Sequence, residues 1–190
     1  MKSFILIVFL LVTSSLLPFK TFAQTVTVAP TTAEETTEPN VDSYELPYPG
    51  ILPDSPFYIL KVIRDRVVSF LISDPLTKAD FDILQADKRL SGSLYLQKFS
   101  PQKQDLIVTT VSKAENYFQE AIDQVNLAQK QGINVTEELG KLADSSKKHD
   151  EVIEGIAAKL SPHYAAQMNA EEKRVKQFEN AVNTQLQKNK

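Results

Sequence analysis

From residue 56 to the C-terminus the apolar residues recur every three to four positions, the period of an α-helix, in five stretches separated by short breaks. In the third stretch Ile107, Val111, Ala114, Phe118, Ala121, Val125 and Ala128 step by alternating four and three residues. The fourth places Leu139, Leu142, Ser146, His149, Ile153, Ile156 and Leu160 in the same rhythm, and the fifth repeats it with Tyr164, Met168, Glu171, Val175, Phe178, Val182 and Leu186. Three such helices in succession predict antiparallel, coiled-coil-like packing. The second stretch, 77–98, carries one narrower stripe of Ala79, Ile83, Ala86, Leu90 and Leu94. Gly92 inside it marks a close approach of a neighbouring helix or a local bend.

The first stretch, 56–73, is apolar over a broad side: Phe57, Leu60, Ile63, Val67, Phe70 and Leu71. Its Lys61, Arg64 and Arg66 raise the alternative of an interfacial membrane helix. The apolar residues wrap too far round for that, so the helix is expected to be covered by other helices or by a partner subunit.

Helix boundaries follow from Ser55-Pro56, Ser100-Pro101 and Ser161-Pro162, each read as a capping hydroxyl before a proline at the first helical position. The first helix is expected to end before Asp74-Pro75. Gln131 to Val135, with Gly132 just past a helix end, reads as a short turn. The fold class is therefore all-α, an elongated antiparallel bundle of about five helices.

Ahead of the helices, residues 44–55 form a proline-rich strap. Pro53-Asp54-Ser55-Pro56 has the spacing that proline-recognition domains bind. The reading preferred here is a clasp, with Pro47 and Pro49 stiffening an extended entry, Gly50 in the turn, and Pro56 starting a helix capped by Asp54 or Ser55. Tyr44, Leu46, Tyr48, Ile51 and Leu52 then supply apolar groups to lie on the bundle. The residues singled out as clasp or interaction sites are Tyr44, Leu46, Pro47, Tyr48, Pro49, Gly50, Pro53 and Pro56.

Residues 1–23 have the layout of a secretory leader. Lys2 precedes an apolar run from Phe4 to Leu17, and Thr21-Phe22-Ala23 offers a cleavage point between Ala23 and Gln24. Fourteen residues make a helix of ~21 Å, short of the ~30 Å hydrocarbon core, which favours cleavage over retention as an anchor. Residues 24–43 hold six threonines, two prolines and four acids and read as a disordered linker. The domain would then occupy 44–190, with a helical hairpin over 56–98 and three long helices over 101–187.

The formal net charge is −3. Removing the leader takes away Lys2 and Lys20 and no acid, leaving 19 basic against 24 acidic residues, or −5. Nucleic-acid binding is not expected of such a chain, because duplex recognition needs a basic face. There is no cysteine, so thiol chemistry and cysteine metal sites are excluded and stability must come from packing.

Candidate chemistry is sparse. His149 on the apolar stripe could be a ligand or a pH switch, but is read as a core-edge histidine with a backbone or solvent partner; His163 lies in another helix. No paired Glu-x-x-His motif, serine elbow, phosphate-cradling glycine loop or zinc-protease helix occurs. Glu137-Glu138, Asp150-Glu151 and Glu171-Glu172 read as solvated faces, the first pair in a first helical turn. Asn134-Val135-Thr136 matches a glycosylation acceptor and also suits a helix cap, the reading preferred here. Glu171 on a stripe is assigned to setting register, pairing with Lys173 or Lys176.

One resemblance runs through the N-terminal half. Leu46-Pro47-Tyr48-Pro49-Gly50, Leu52-Pro53-Asp54-Ser55-Pro56 with Phe57 and Tyr58, Asp74-Pro75, Lys78-Ala79 and Ala86-Asp87-Lys88-Arg89-Leu90 resemble the bacterial family known as domain of unknown function 5667. The chain departs from that pattern at Asp80 and at Ser91-Gly92. The resemblance implies export, a helical fold and an uncharacterised role, and brings no catalytic residues. The expectation is a non-catalytic extracytoplasmic module, secreted or at the bacterial cell surface, without cofactor or metal. It would bind an envelope or surface protein or act as a spacer, with an oligomer left open and membrane contact only if the leader is retained. A chaperone-like or ligand-sensing bundle is the alternative, and a wall-polymer hydrolase comes third.

Overall fold

The computed structural model describes residues 44–188; the expected leader, its expected cleavage point between Ala23 and Gln24, and the expected linker lie outside the described residues. The helices are α1 Tyr58–Leu71, α2 Pro75–Phe99, α3 Gln104–Lys130, α4 Thr136–Ala157 and α5 Pro162–Lys188. Among the described residues there is no strand.

Local chemistry explains the boundaries. Asp74 does more than end the first helix: its carboxylate accepts the Thr77 N–H at 2.7 Å and caps α2, with Pro75 at the first position where a missing N–H costs nothing. Only Ser161-Pro162 of the three serine-proline pairs stands directly at a helix start. After Ser55-Pro56 the chain makes a turn and α1 begins at Tyr58; Ser55 Oγ accepts only the Phe57 N–H, at 3.3 Å. Ser100 closes α2, its N–H bonding Leu96 O at 2.7 Å, and α3 waits until Gln104. Proline's fixed φ suits the corner of a turn as well as a first helical turn, so the dipeptide alone cannot separate the two.

Gly132, at φ +77°, ends α3 in a Schellman motif: Ile133 N–H bonds Ala128 O at 3.1 Å and Gly132 N–H bonds Gln129 O at 3.0 Å. Asn134 Oδ1 accepts the Thr136 N–H at 3.0 Å as α4 opens, with Glu137 and Glu138 in its first turn.

Two buried clusters define the bundle. One joins Ala79, Ile83 and Ala86 of α2 to Phe118, Ala121 and Val125 of α3, Leu139 and Leu142 of α4, and Phe178 and Val182 of α5. The other joins Leu90 and Leu96 to Ile107 and Val111, Ile153 and Ile156, and Met168 and Val175. Early α2 thus meets late α3, early α4 and late α5, which makes each successive pair antiparallel. The packing is two antiparallel hairpins, with α4 along α2 and α5 along α3.

The strap crosses α2 at Gly92. A Cβ there would stand 3.7 Å from Pro49 Cβ and 3.9 Å from Leu52 Cδ2, so the close neighbour is the strap rather than another helix. Pro49 is buried, and Leu46 packs on the second cluster. Tyr48 and Ile51 stay largely exposed, although Tyr48 meets Tyr95 edge to face at 6.0 Å. Asp54 does not cap a helix; it pairs with Lys103 at 3.1 Å and so ties the strap to the α2–α3 turn.

Candidate functional site

Between the two apolar clusters lies a polar layer. Asp87 of α2, Glu115 of α3 and His149 of α4 are all buried, His149 on the apolar stripe of its helix and the two acids one residue beside theirs, after Ala86 and Ala114. Nδ1 of His149 is 2.7 Å from Glu115 Oε1 and Nε2 is 3.0 Å from Asp87 Oδ1. Ser145 Oγ donates to the same Asp87 oxygen at 2.7 Å, and the Tyr44 hydroxyl of the strap donates to Asp87 Oδ2. His149 is therefore no core-edge histidine with a backbone or solvent partner: two carboxyl groups hold both its nitrogens.

Burial pulls the imidazole down, but the Glu115 charge and the hydrogen bonds to Asp87 and Glu115 outweigh it and raise the pKa from 6.5 to about 9. Burial and the nearby Asp87 charge likewise push the Tyr44 phenol up. The trio resembles an acid–base relay in composition, yet no part of the His149 ring reaches solvent, and Phe118 packs on it with ring centroids 5.2 Å apart. No substrate can reach the imidazole in this arrangement, so the layer works as a lock that joins three helices and the strap. Among the described residues no group of His, Asp and Glu has a metal-holding arrangement.

A second polar set lies under α1. Lys61 and Asp65, 7% and 2% exposed, are its buried residues. Lys61 Nζ donates to Pro49 O at 2.8 Å, and burial together with neighbouring Arg89 lowers its pKa to about 8. Asp65 Oδ1 accepts from Arg64 Nη2 at 2.7 Å. Arg89 lies over the Tyr117 ring, 4.1 Å from its centroid, and donates to Gln85 Oε1 at 3.0 Å. Tyr58, Val62, Arg89, Lys113 and Tyr117 line a small cleft of about 250 Å³ here. Asp82 is buried without a hydrogen-bond partner, and burial followed by the Glu120 charge raises its pKa to about 7.

With Lys61 and Asp65 turned inward, α1 turns most of its large apolar residues outward. Phe70 is 85% exposed and Leu71 71%, and Ile59, Leu60, Ile63 and Val67 are each more than half exposed. The expected covering by other helices does not occur among the described residues. The rule that apolar means inward fails because the strap presents α1 with the Pro49 carbonyl, which Lys61 satisfies better than leucine would, while Asp65 is buried against Arg64 of its own turn. At 3.6 residues per turn the six apolar residues of α1 that are more than half exposed fall within an arc of about 120°. Arg66 stands about 20° beyond one edge; beyond the other come Arg64 at about 20° and Val68, 38% exposed, at about 60°. That arc, with an arginine beside each end, was the legible signal.

The remaining candidates are dispersed. His163 is exposed beside Gln167, and Glu171 is half-buried and pairs with Arg174 at 3.5 Å, while Lys176 goes to Glu172 and Asp150. Pro53 is half-buried and Pro56 exposed. No described helix is long and apolar enough to cross a membrane. A family model described as a domain of unknown function (DUF5667) matches residues 50–188. Neither the curated proteins nor the solved structures contain a match.

Proposed function

The chain belongs to the DUF5667 family, and from that premise we propose that it is a non-catalytic, extracytoplasmic helical module that docks through the outward face of α1. One observation carries this reading: an exposed apolar side on a helix whose opposite side is held down by buried Lys61 on the Pro49 carbonyl. Exposed apolar surface of that kind costs solubility and is retained where something covers it. The leader-like residues 1–23 support placement outside the cytoplasm, and the linker 24–43 would let the module reach a neighbouring surface. The polar layer of Asp87, Glu115 and His149 serves this role by holding the bundle and strap in one arrangement.

The test is site-specific photocrosslinking on intact cells. A photoreactive residue at Phe70 is expected to give adducts, while one at exposed Asn169 on α5 is not. Absence of any Phe70 adduct, or equal adducts at both positions, overturns the reading.

A further inference from the structure

Deepening that docking role, and resting on it, we propose that what covers the α1 face is an anionic lipid bilayer: Ile59, Leu60, Ile63, Val67, Phe70 and Leu71 enter the boundary between headgroups and acyl chains, and Arg64 and Arg66 meet the lipid phosphates. Charge is the first argument. The chain is acidic overall, at −3, whereas α1 holds Lys61, Arg64 and Arg66 against Asp65 alone. Arg66 stands at one border of the exposed apolar surface and Arg64 between Leu71 and Val68 near the other, where long basic side chains reach back to headgroups while their stems lie along apolar surface. Arg66 forms no ion pair with any described residue, and Arg64, though bonded to Asp65, keeps a side chain 65% exposed.

The same borders argue against a second copy as the occupant. In a symmetric pairing of two α1 faces, arginines would line both edges of both partners. The one acid of the helix, Asp65, is buried on the opposite side and already bonded to Arg64, so α1 itself offers no carboxylate to receive them. Like charges facing each other oppose such a pairing.

Attachment of α1 is the second argument. Its inner side is held by Lys61 on Pro49 O, and its C-terminal end by Lys78, whose Nζ donates to Ser69 O at 2.9 Å and Ser69 Oγ at 2.7 Å. A helix pinned along one side can present its other side to a flat surface along its whole ~21 Å without leaving the bundle. If the apolar stretch Phe4 to Leu17 acts as the leader its layout implies, it would bring the chain to a membrane during export.

The test uses the chain from Gln24 onward, which keeps every described residue. It is sedimented with vesicles of phosphatidylglycerol and phosphatidylethanolamine, and separately with vesicles of phosphatidylcholine alone. Binding to the anionic vesicles, weakened by salt, is expected. Arg66→Gln should lower it about fivefold, and Phe70→Glu about tenfold or more, with far-ultraviolet circular dichroism and melting unchanged because both side chains are exposed. Four results each overturn the proposal: no binding, equal binding to phosphatidylcholine, anionic binding that Phe70→Glu leaves intact, or a dimer that Phe70→Glu dissolves. Phe70 adducts to protein without vesicle binding would remove the lipid assignment and keep the docking role, whereas no adducts at all would remove the docking role itself.

Discussion

Nδ1 of His149 stands 2.7 Å from Glu115 Oε1, two fully buried side chains joined across the bundle from α4 to α3, while Nε2 of the same ring reaches Asp87 on α2. Buried ion pairs add little when compared with a well-packed apolar core, but removing one partner strands the others. His149→Leu should therefore cost about 3–5 kcal/mol, measured by urea unfolding near neutral pH. A loss below about 1 kcal/mol would mean that the layer is not held by the imidazole.

The same histidine gives the fold a pH dependence of known sign. Its pKa is raised on folding from 6.5 to about 9, so its stabilisation is complete below 6.5 and is lost as pH rises through about 9. The loss is roughly 3 kcal/mol for a shift of that size. Unfolding free energies at pH 6 and pH 9.5 should differ by about that amount more in the native chain than in His149→Leu. Equal differences in the two chains would remove His149 as the titrating group.

Asp82 bears the opposite kind of charge with the same direction of slope. Its acid pKa is raised from 3.8 to about 7, so the folded state is penalised for ionising it as pH climbs through that window. Asp82→Asn removes the charge at nearly constant shape. Its melting temperature should exceed that of the native chain at pH 8, with a smaller gain at pH 5. A gain that does not grow between those pH values would show that the carboxyl is hydrated in solution.

The strap is tied to the polar layer through one hydroxyl. Tyr44 donates to Asp87 Oδ2, so Tyr44→Phe should cost about 1–3 kcal/mol, the range for a hydrogen bond to a carboxylate. Deleting residues 44–53 should lower the melt by several degrees, since it also strips Lys61 of the Pro49 carbonyl. An unchanged melt would free the segment for a ligand role.

How far these features were legible depends on the type of cue. The stripes of α2 to α5 were readable because a core helix must repeat its apolar residues every three to four positions, and Phe118, Leu142, Ile153 and Met168 are all buried accordingly. Periodicity also put His149 on an inward face, but its partners lie 34 and 62 residues away and no local pattern announces them. α1 misled for a physical reason: an amphipathic helix reads identically whether its polar side meets water or a buried carbonyl, and only the fold decides. The capping error had the same origin, since Ser-Pro suits a turn as well as a helix start.

Gly92 separates the strap's contribution from the helix's own. A methyl group at that site meets Pro49 Cβ at 3.7 Å, an ordinary contact, so Gly92→Ala should gain about 1 kcal/mol of helix propensity. For a chain of this size that raises the melt by about 2–4 °C. Gly92→Leu has no such room: its branches must displace Pro49 and Leu52, and with them the carbonyl that holds Lys61. The leucine variant should therefore melt below the native chain by about as much as the strap deletion does. In the chain already lacking residues 44–53 the same leucine should be neutral or stabilising, because the obstacle is gone and leucine is the better helix former. If Gly92→Leu costs the same with and without the strap, the two segments are not coupled, and the strap's hold on α2 is weaker than its contacts imply.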